Sequence, residues 1–194
     1  LRDQLTAIAN AAKATRADVW VMAPMISTPD ETAQFVALCR ELGIEKAGAM
    51  VETPSSAILA DHVLDEADFV SIGTNDLTQY TVAADRLLGT VANLQDPWNP
   101  AVLRLIREVG KAGESTGKPV GVCGEAAADP TLAVVLIGLG VTSLSMSPIA
   151  LADVRAEISR FTLGEARELA ERALSARNAV DAKRAVSTAF SNTH

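Results

Sequence analysis

The stretch DFVSIGTNDLTQY (residues 68–80) changes character in a single step. Phe69, Val70, Ile72 and Gly73 form a short run of apolar and small residues, the pattern of a strand covered on both faces. Asn75 and Asp76 follow at once, which predicts polar side chains at the strand's end. Four other runs share this plan: VWVMAPM (19–25), AGAMVET (47–53), PVGVCGE (119–125) and SLSMS (143–147). Each ends on polar or reactive residues: Met25 and Ser27, Glu52 and Thr53, Cys123 and Glu125, Ser145 and Ser147.

Between the runs lie helix signals. Thr28-Pro29, Thr53-Pro54, Asn99-Pro100, Asp129-Pro130 and Ser147-Pro148 each place a capping side chain before a proline at the first helical position. Thr28 and Glu31 also have capping-box spacing. Phe35, Leu38 and Leu42, then Val102, Leu105, Ile106 and Val109, recur at helical intervals. Strand, polar turn, helix and strand again predicts a parallel sheet with right-handed crossovers. Reactive residues at the end of every strand favour a (β/α)8 TIM-type barrel, whose sites gather at the carboxyl ends of its strands, over an open sheet with one switch point. A whole barrel needs eight units and typically about 250 residues. Five runs in 194 residues, opening on Leu1 with a helix already under way (LRDQLTAIANAAKAT), read as a fragment carrying about the last five units. Residues 1–163 hold the barrel units, and 164–194 read as C-terminal helices and a tail.

Composition narrows the partners. A net charge of -7 and a pI near 4.8 argue against nucleic acid and anionic membranes. No apolar run reaches the roughly 18 residues of a membrane span, and no signal-peptide pattern opens the chain. Cys39 and Cys123 make no disulfide framework and point to a reducing cytoplasm. The only histidines, His62 and His194, form no zinc pattern; His62, mid-helix, reads as structural.

Glu52 and Asp76 stand 24 residues apart at the ends of successive runs. Neighbouring strands lie about 5 Å apart, so their carboxylates should converge, and two like charges that close call for a cation between them. With oxygen ligands alone the cation would be Mg2+ or Mn2+. The competing reading of Glu52 is a carboxylate satisfied by the adjacent helix N-terminus, and that of Asp76 is a helix N-cap. Arg86 suits bidentate capture of a phosphate or carboxylate, or is a solvated helix-end residue. Cys123, between Gly121 and Gly124, stands on the presumed catalytic face. With no histidine in its motif to make it a nucleophile, a neutral thiol donating a proton is at least as plausible. Cys39, inside an amphipathic helix, reads as a buried packing residue.

GAMVETPSSA (48–57), SIGTNDLTQYTVAADR (71–86), PVGVCGEAAADP (119–130) and SLSMSPIAL (143–151) together resemble the C-terminal phosphoenolpyruvate-binding domain of enzyme I of the bacterial sugar phosphotransferase system. The resemblance runs from Leu1 to about residue 180. It implies that Glu52 and Asp76 bind Mg2+, that Asn75 and the Asp76 backbone contact phosphoenolpyruvate, and that Arg86 contacts its phosphate. It gives Cys123 the role of proton donor at C3 of the pyruvate enolate. Further implied are a homodimer, an N-terminal phosphohistidine domain that takes the phosphoryl group, and transfer from it to the phosphocarrier protein HPr, the first step of sugar uptake. That histidine and additional substrate-binding arginines lie in parts of the family's enzyme not present in this sequence. Pyruvate phosphate dikinase and phosphoenolpyruvate synthase carry related motifs and form the rival enzymatic reading; a non-catalytic dimerisation fragment is the other.

Overall fold

The computed structural model describes residues 1–85 and 89–192. Its centre is one five-stranded parallel sheet in sequential order, made of β1 (Trp20–Ala23), β2 (Lys46–Val51), β3 (Val70–Gly73), β4 (Val120–Cys123) and β5 (Ser143–Ser145). Each strand pairs with the next in the chain, so every connection crosses over and none reverses the winding. The helices α1 (Arg2–Ala14), α2 (Pro29–Glu41), α3 (Pro54–Ile58), α4 (Ala60–Glu66), α5 (Thr74–Val82), α6 (Pro100–Thr116), α7 (Pro130–Gly138) and α8 (Leu151–Ile158) alternate with the strands. The C-terminal segment resolves into a helix pair, α9 (Leu163–Leu174) and α10 (Ala179–Asn192). Among the described residues no helix is long and apolar enough to cross a membrane.

The helix starts follow from capping chemistry. Thr28 and Glu31 close a capping box at α2, with Thr28 Oγ1 accepting from the Glu31 amide and Glu31 Oε2 from the Thr28 amide. Thr53, Asn99 and Asp129 accept from the first-turn amides of α3, α6 and α7. Each such cap is worth about 1 kcal/mol. Asp129 serves twice, because its other carboxylate oxygen accepts from the indole of Trp98, buried at 2% exposure. Ser147 departs from the expected pattern. Its side chain makes no cap bond, and the chain beyond it forms only a short 3-10 turn over Pro148–Ala150 before α8.

The strands are shorter than the apolar runs that announce them, because the flanking residues leave the ladder to shape the loops. The largest shift is at β3. It ends at Gly73, and α5 begins at Thr74, so Asn75 and Asp76 occupy the first helical turn rather than the strand's last residues. Asp76 is accordingly not an N-cap; Gly73 holds that position.

Alternation gives the sheet two unlike faces. Ala47, Ala49, Val51, Val70, Ile72 and Val122 point to the helices, all at 1% exposure or less. The opposite face carries Met22, Gly48, Met50, Ser71, Gly121 and Ser143, in register across the strands. Met22 is 37% exposed, and Met50, Ser71 and Gly121 are half-buried. The two edge strands, β1 and β5, are the least covered. Beneath the sheet's amino end, Asp68 joins three elements. Both its oxygens take the Arg40 guanidinium (2.7 and 2.6 Å), and one also takes the Ala47 amide (2.8 Å).

Candidate active site at the carboxyl ends of the strands

Glu52 leaves β2 one residue past its end and is buried at 4% exposure. A carboxylate this deep must be partnered. Its Oε1 accepts the Met25 amide at 2.7 Å, from the loop after β1. A Cβ on Gly73 would lie only 2.7 Å from its Oε2, so the carboxylate is packed against the end of β3. The competing idea, that the adjacent helix N-terminus satisfies Glu52, gives way in part to a partner 27 residues earlier in the chain. Asp76 stands three residues beyond Gly73, half-buried in the first turn of α5, where a negative charge also suits the helix dipole. Glu52 and Asp76 therefore flank the same strand end.

Asn75 is exposed at the start of α5. Its Oδ1 lies 3.3 Å from where a Cβ on Gly124 would be, and Thr74 Oγ1 lies 2.9 Å from that point. Gly124 has φ +98°, so glycine is required there by conformation as well as by space. Cys123 closes β4 in register with Gly73. It is half-buried, its thiol 3.5 Å from the Ile72 carbonyl, and its own carbonyl accepts the Thr74 hydroxyl at 3.0 Å. Cys39, by contrast, is fully buried in α2, where burial pushes its thiol pKa up against the opposing charge of Arg40. His62 is exposed on α4, with Nδ1 3.7 Å from Asp65. Arg86 lies outside the described residues.

Glu52, Asn75, Asp76 and Cys123 thus stand at the carboxyl ends of the three adjacent strands β2, β3 and β4. Glu52 and Cys123 are separated by the single strand β3, about 10 Å at ordinary strand spacing. Sequence reasoning did not assign roles to three further residues: the Met25 amide, Gly73 as the surface against Glu52, and the buried hydroxyl of Thr74. A glycine and a threonine immediately before Asn-Asp were the available signal for the last two. Nothing in the sequence marks the Met25 backbone, which is left-handed at φ +55°. The side chains at this rim offer carboxylate and amide oxygens, a donor set suited to a hard divalent cation.

Comparison with known proteins adds a family to this geometry. Residues 1–163 match the profile of the PEP-utilising enzyme, PEP-binding domain. A phosphoenolpyruvate-protein phosphotransferase of Streptomyces coelicolor is 50% identical over 192 residues, covering 98% of this chain and 34% of that protein. Proteins of the same name from Bacillus subtilis and Buchnera aphidicola are 42% and 38% identical over 186 residues, each covering 90% of this chain and 32% of the relative. The chain spans about a third of the length of these curated relatives. A match over most of the chain, with the four rim residues gathered at adjacent strand ends, places the protein in the family of PEP-utilising enzymes, as their PEP-binding domain.

Proposed function

We propose that the chain is the phosphoenolpyruvate-binding and catalytic part of a phosphoenolpyruvate–protein phosphotransferase, opening the transfer of phosphoryl groups toward sugar uptake. The observation that carries this reading is the rim itself. A buried carboxylate, an Asn-Asp pair and a thiol stand at neighbouring strand ends, in a chain half identical to an enzyme of that name. The names of the relatives favour this over a dikinase or a synthase.

In this reading Glu52 and Asp76 hold Mg2+, and among the described residues no third acidic, His or Cys side chain completes a cluster with them. The remaining positions would fall to water and substrate, as Mg2+ prefers. When bound, the ion would act as a Lewis acid toward the developing enolate oxygen. Asn75 and the Asp76 backbone would orient phosphoenolpyruvate, with Arg86 on its phosphate. A histidine of an N-terminal domain takes the phosphoryl group as the phosphorus–oxygen bond to the enolate breaks. The enolate then takes the Cys123 thiol proton at C3, giving pyruvate, and the thiolate recovers a proton from water. The phosphohistidine passes its group on to HPr.

The sequential parallel order and the poorly covered edges of β1 and β5 support a TIM-type barrel completed by further strands. The same strands would cover the open face around Met22 and Ser143. A homodimer and a cytoplasmic setting follow from the family resemblance and from a thiol that must stay reduced. Exchange of isotope between pyruvate and phosphoenolpyruvate, measured on the intact protein and on this chain with added N-terminal domain, tests the function. Mg2+-dependent exchange by the intact protein is expected. Its absence there would overturn the reading in favour of a non-catalytic dimerisation unit.

A further inference from the structure

Among the described residues two non-glycines have a left-handed backbone, Ala83 at the end of α5 and Met25 at the rim, the latter at φ +55°. For an L side chain that conformation costs about 1–2 kcal/mol, and it persists only where its surroundings over-determine it. The surroundings are visible. The Met25 amide donates to Glu52 Oε1 at 2.7 Å, the next carbonyl, of Ile26, accepts the Thr53 hydroxyl at 2.9 Å, and that of Ser27 accepts the Ser55 hydroxyl at 2.7 Å. The loop after β1 is thereby bonded, residue by residue, to the segment just past β2. The side chain of Met25 is 46% exposed, so its packing does not explain the strained backbone.

We propose that Met25 is a positioning residue: its left-handed backbone aims one N–H at Glu52, and Gly73 backs the second oxygen of the same carboxylate, so that the two fix the plane of Glu52. The inference rests on the reading of Glu52 as a cation ligand and deepens it. A carboxylate free to rotate would meet a cation in many orientations. One clamped between an amide and a Cα is pre-set for one of them. At φ −86° the backbone of Gly73 does not exclude alanine, but the added Cβ would fall 2.7 Å from Oε2 and turn the carboxylate away.

Two measurements on the intact protein test this. The first needs no metal. With 15N-methionine labelling, the Met25 amide resonance, identified by its loss in Met25→Gly, should lie downfield and move upfield in Glu52→Ala; a resonance that does not move overturns the proposal. The second is a titration with Mn2+ alone, read by electron paramagnetic resonance. Met25→Ile, whose β-branched side chain strains the left-handed region beyond what methionine does, should bind Mn2+ about tenfold more weakly. Met25→Gly should bind like the wild type, and Gly73→Ala should be weakened. Wild-type affinity in a folded Met25→Ile overturns the proposal. An amide shift as expected, with no Glu52-dependent Mn2+ binding in the wild type, supports the fixation of Glu52 and overturns the cation reading alone.

Discussion

The Thr74 hydroxyl donates to the Cys123 carbonyl at 3.0 Å, tying the first residue of α5 to the last residue of β4. Thr74 is buried at 1% exposure and adjoins Asn75, so one bond couples the start of the helix that bears Asn75 to the backbone of Cys123. Thr74→Val keeps the shape but leaves that carbonyl without this donor, at a cost of about 1–3 kcal/mol. Proton transfer to C3, followed by deuterium entry into pyruvate, should slow while affinity for phosphoenolpyruvate changes little. Unchanged proton transfer would show that Thr74 only fills space.

The two cysteines should behave differently. Cys123→Ala in the intact protein should suppress turnover, because the proposed mechanism takes its proton from that thiol. Cys39→Ala removes a fully buried sulfur and should cost on the order of 1 kcal/mol of stability with turnover kept. Equal loss of activity from both, measured at a temperature where both are folded, contradicts the assignment.

Close backbone packing makes another test. A Cβ on Gly110 of α6 would stand 1.9 Å from the Leu139 carbonyl oxygen, an approach that backbone cannot yield cheaply. Gly110→Ala should destabilise by at least about 1–3 kcal/mol in denaturant melts. A melt unchanged from wild type would mean that α6 and the end of α7 do not approach this closely.

Acid should act through Asp68. Burial opposes its ionisation, but the Ala47 amide and the Arg40 guanidinium outweigh it and hold the pKa below the ordinary carboxylate value. A group depressed in the folded state stabilises above its unfolded pKa, near 4, and loses that contribution as pH falls through the folded value. Asp68→Asn should therefore be less stable than wild type at neutral pH, with the gap closing below about pH 4. A gap independent of pH would assign the loss to packing.

The strands were legible because each is a short run of apolar and small residues, although only the face toward the helices is fully buried, and Pro after Thr28, Thr53, Asn99 and Asp129 announced four real caps. The start of α5 was misplaced because Gly73 caps it without a side chain, while the cap-forming types Thr74, Asn75 and Asp76 lie inside its first turn. Ser147 had the signal without the bond, since only a 3-10 turn follows. Glu52 and Cys123 were singled out because a carboxylate and a thiol at strand ends are chemically conspicuous, and the structure places both at strand ends. The Met25 amide was not, because a backbone dihedral and a contact across 27 residues have no side-chain signature.

The proposed mechanism divides labour along one rim, with Glu52 and Asp76 binding through a cation and Cys123 acting after binding. Calorimetric titration of the intact protein with phosphoenolpyruvate in Mg2+ tests it most directly. Glu52→Ala and Asp76→Ala should each weaken binding by about tenfold or more, while Cys123→Ala should bind within about twofold of wild type. Wild-type affinity in either carboxylate variant, or binding lost in Cys123→Ala, would contradict the account.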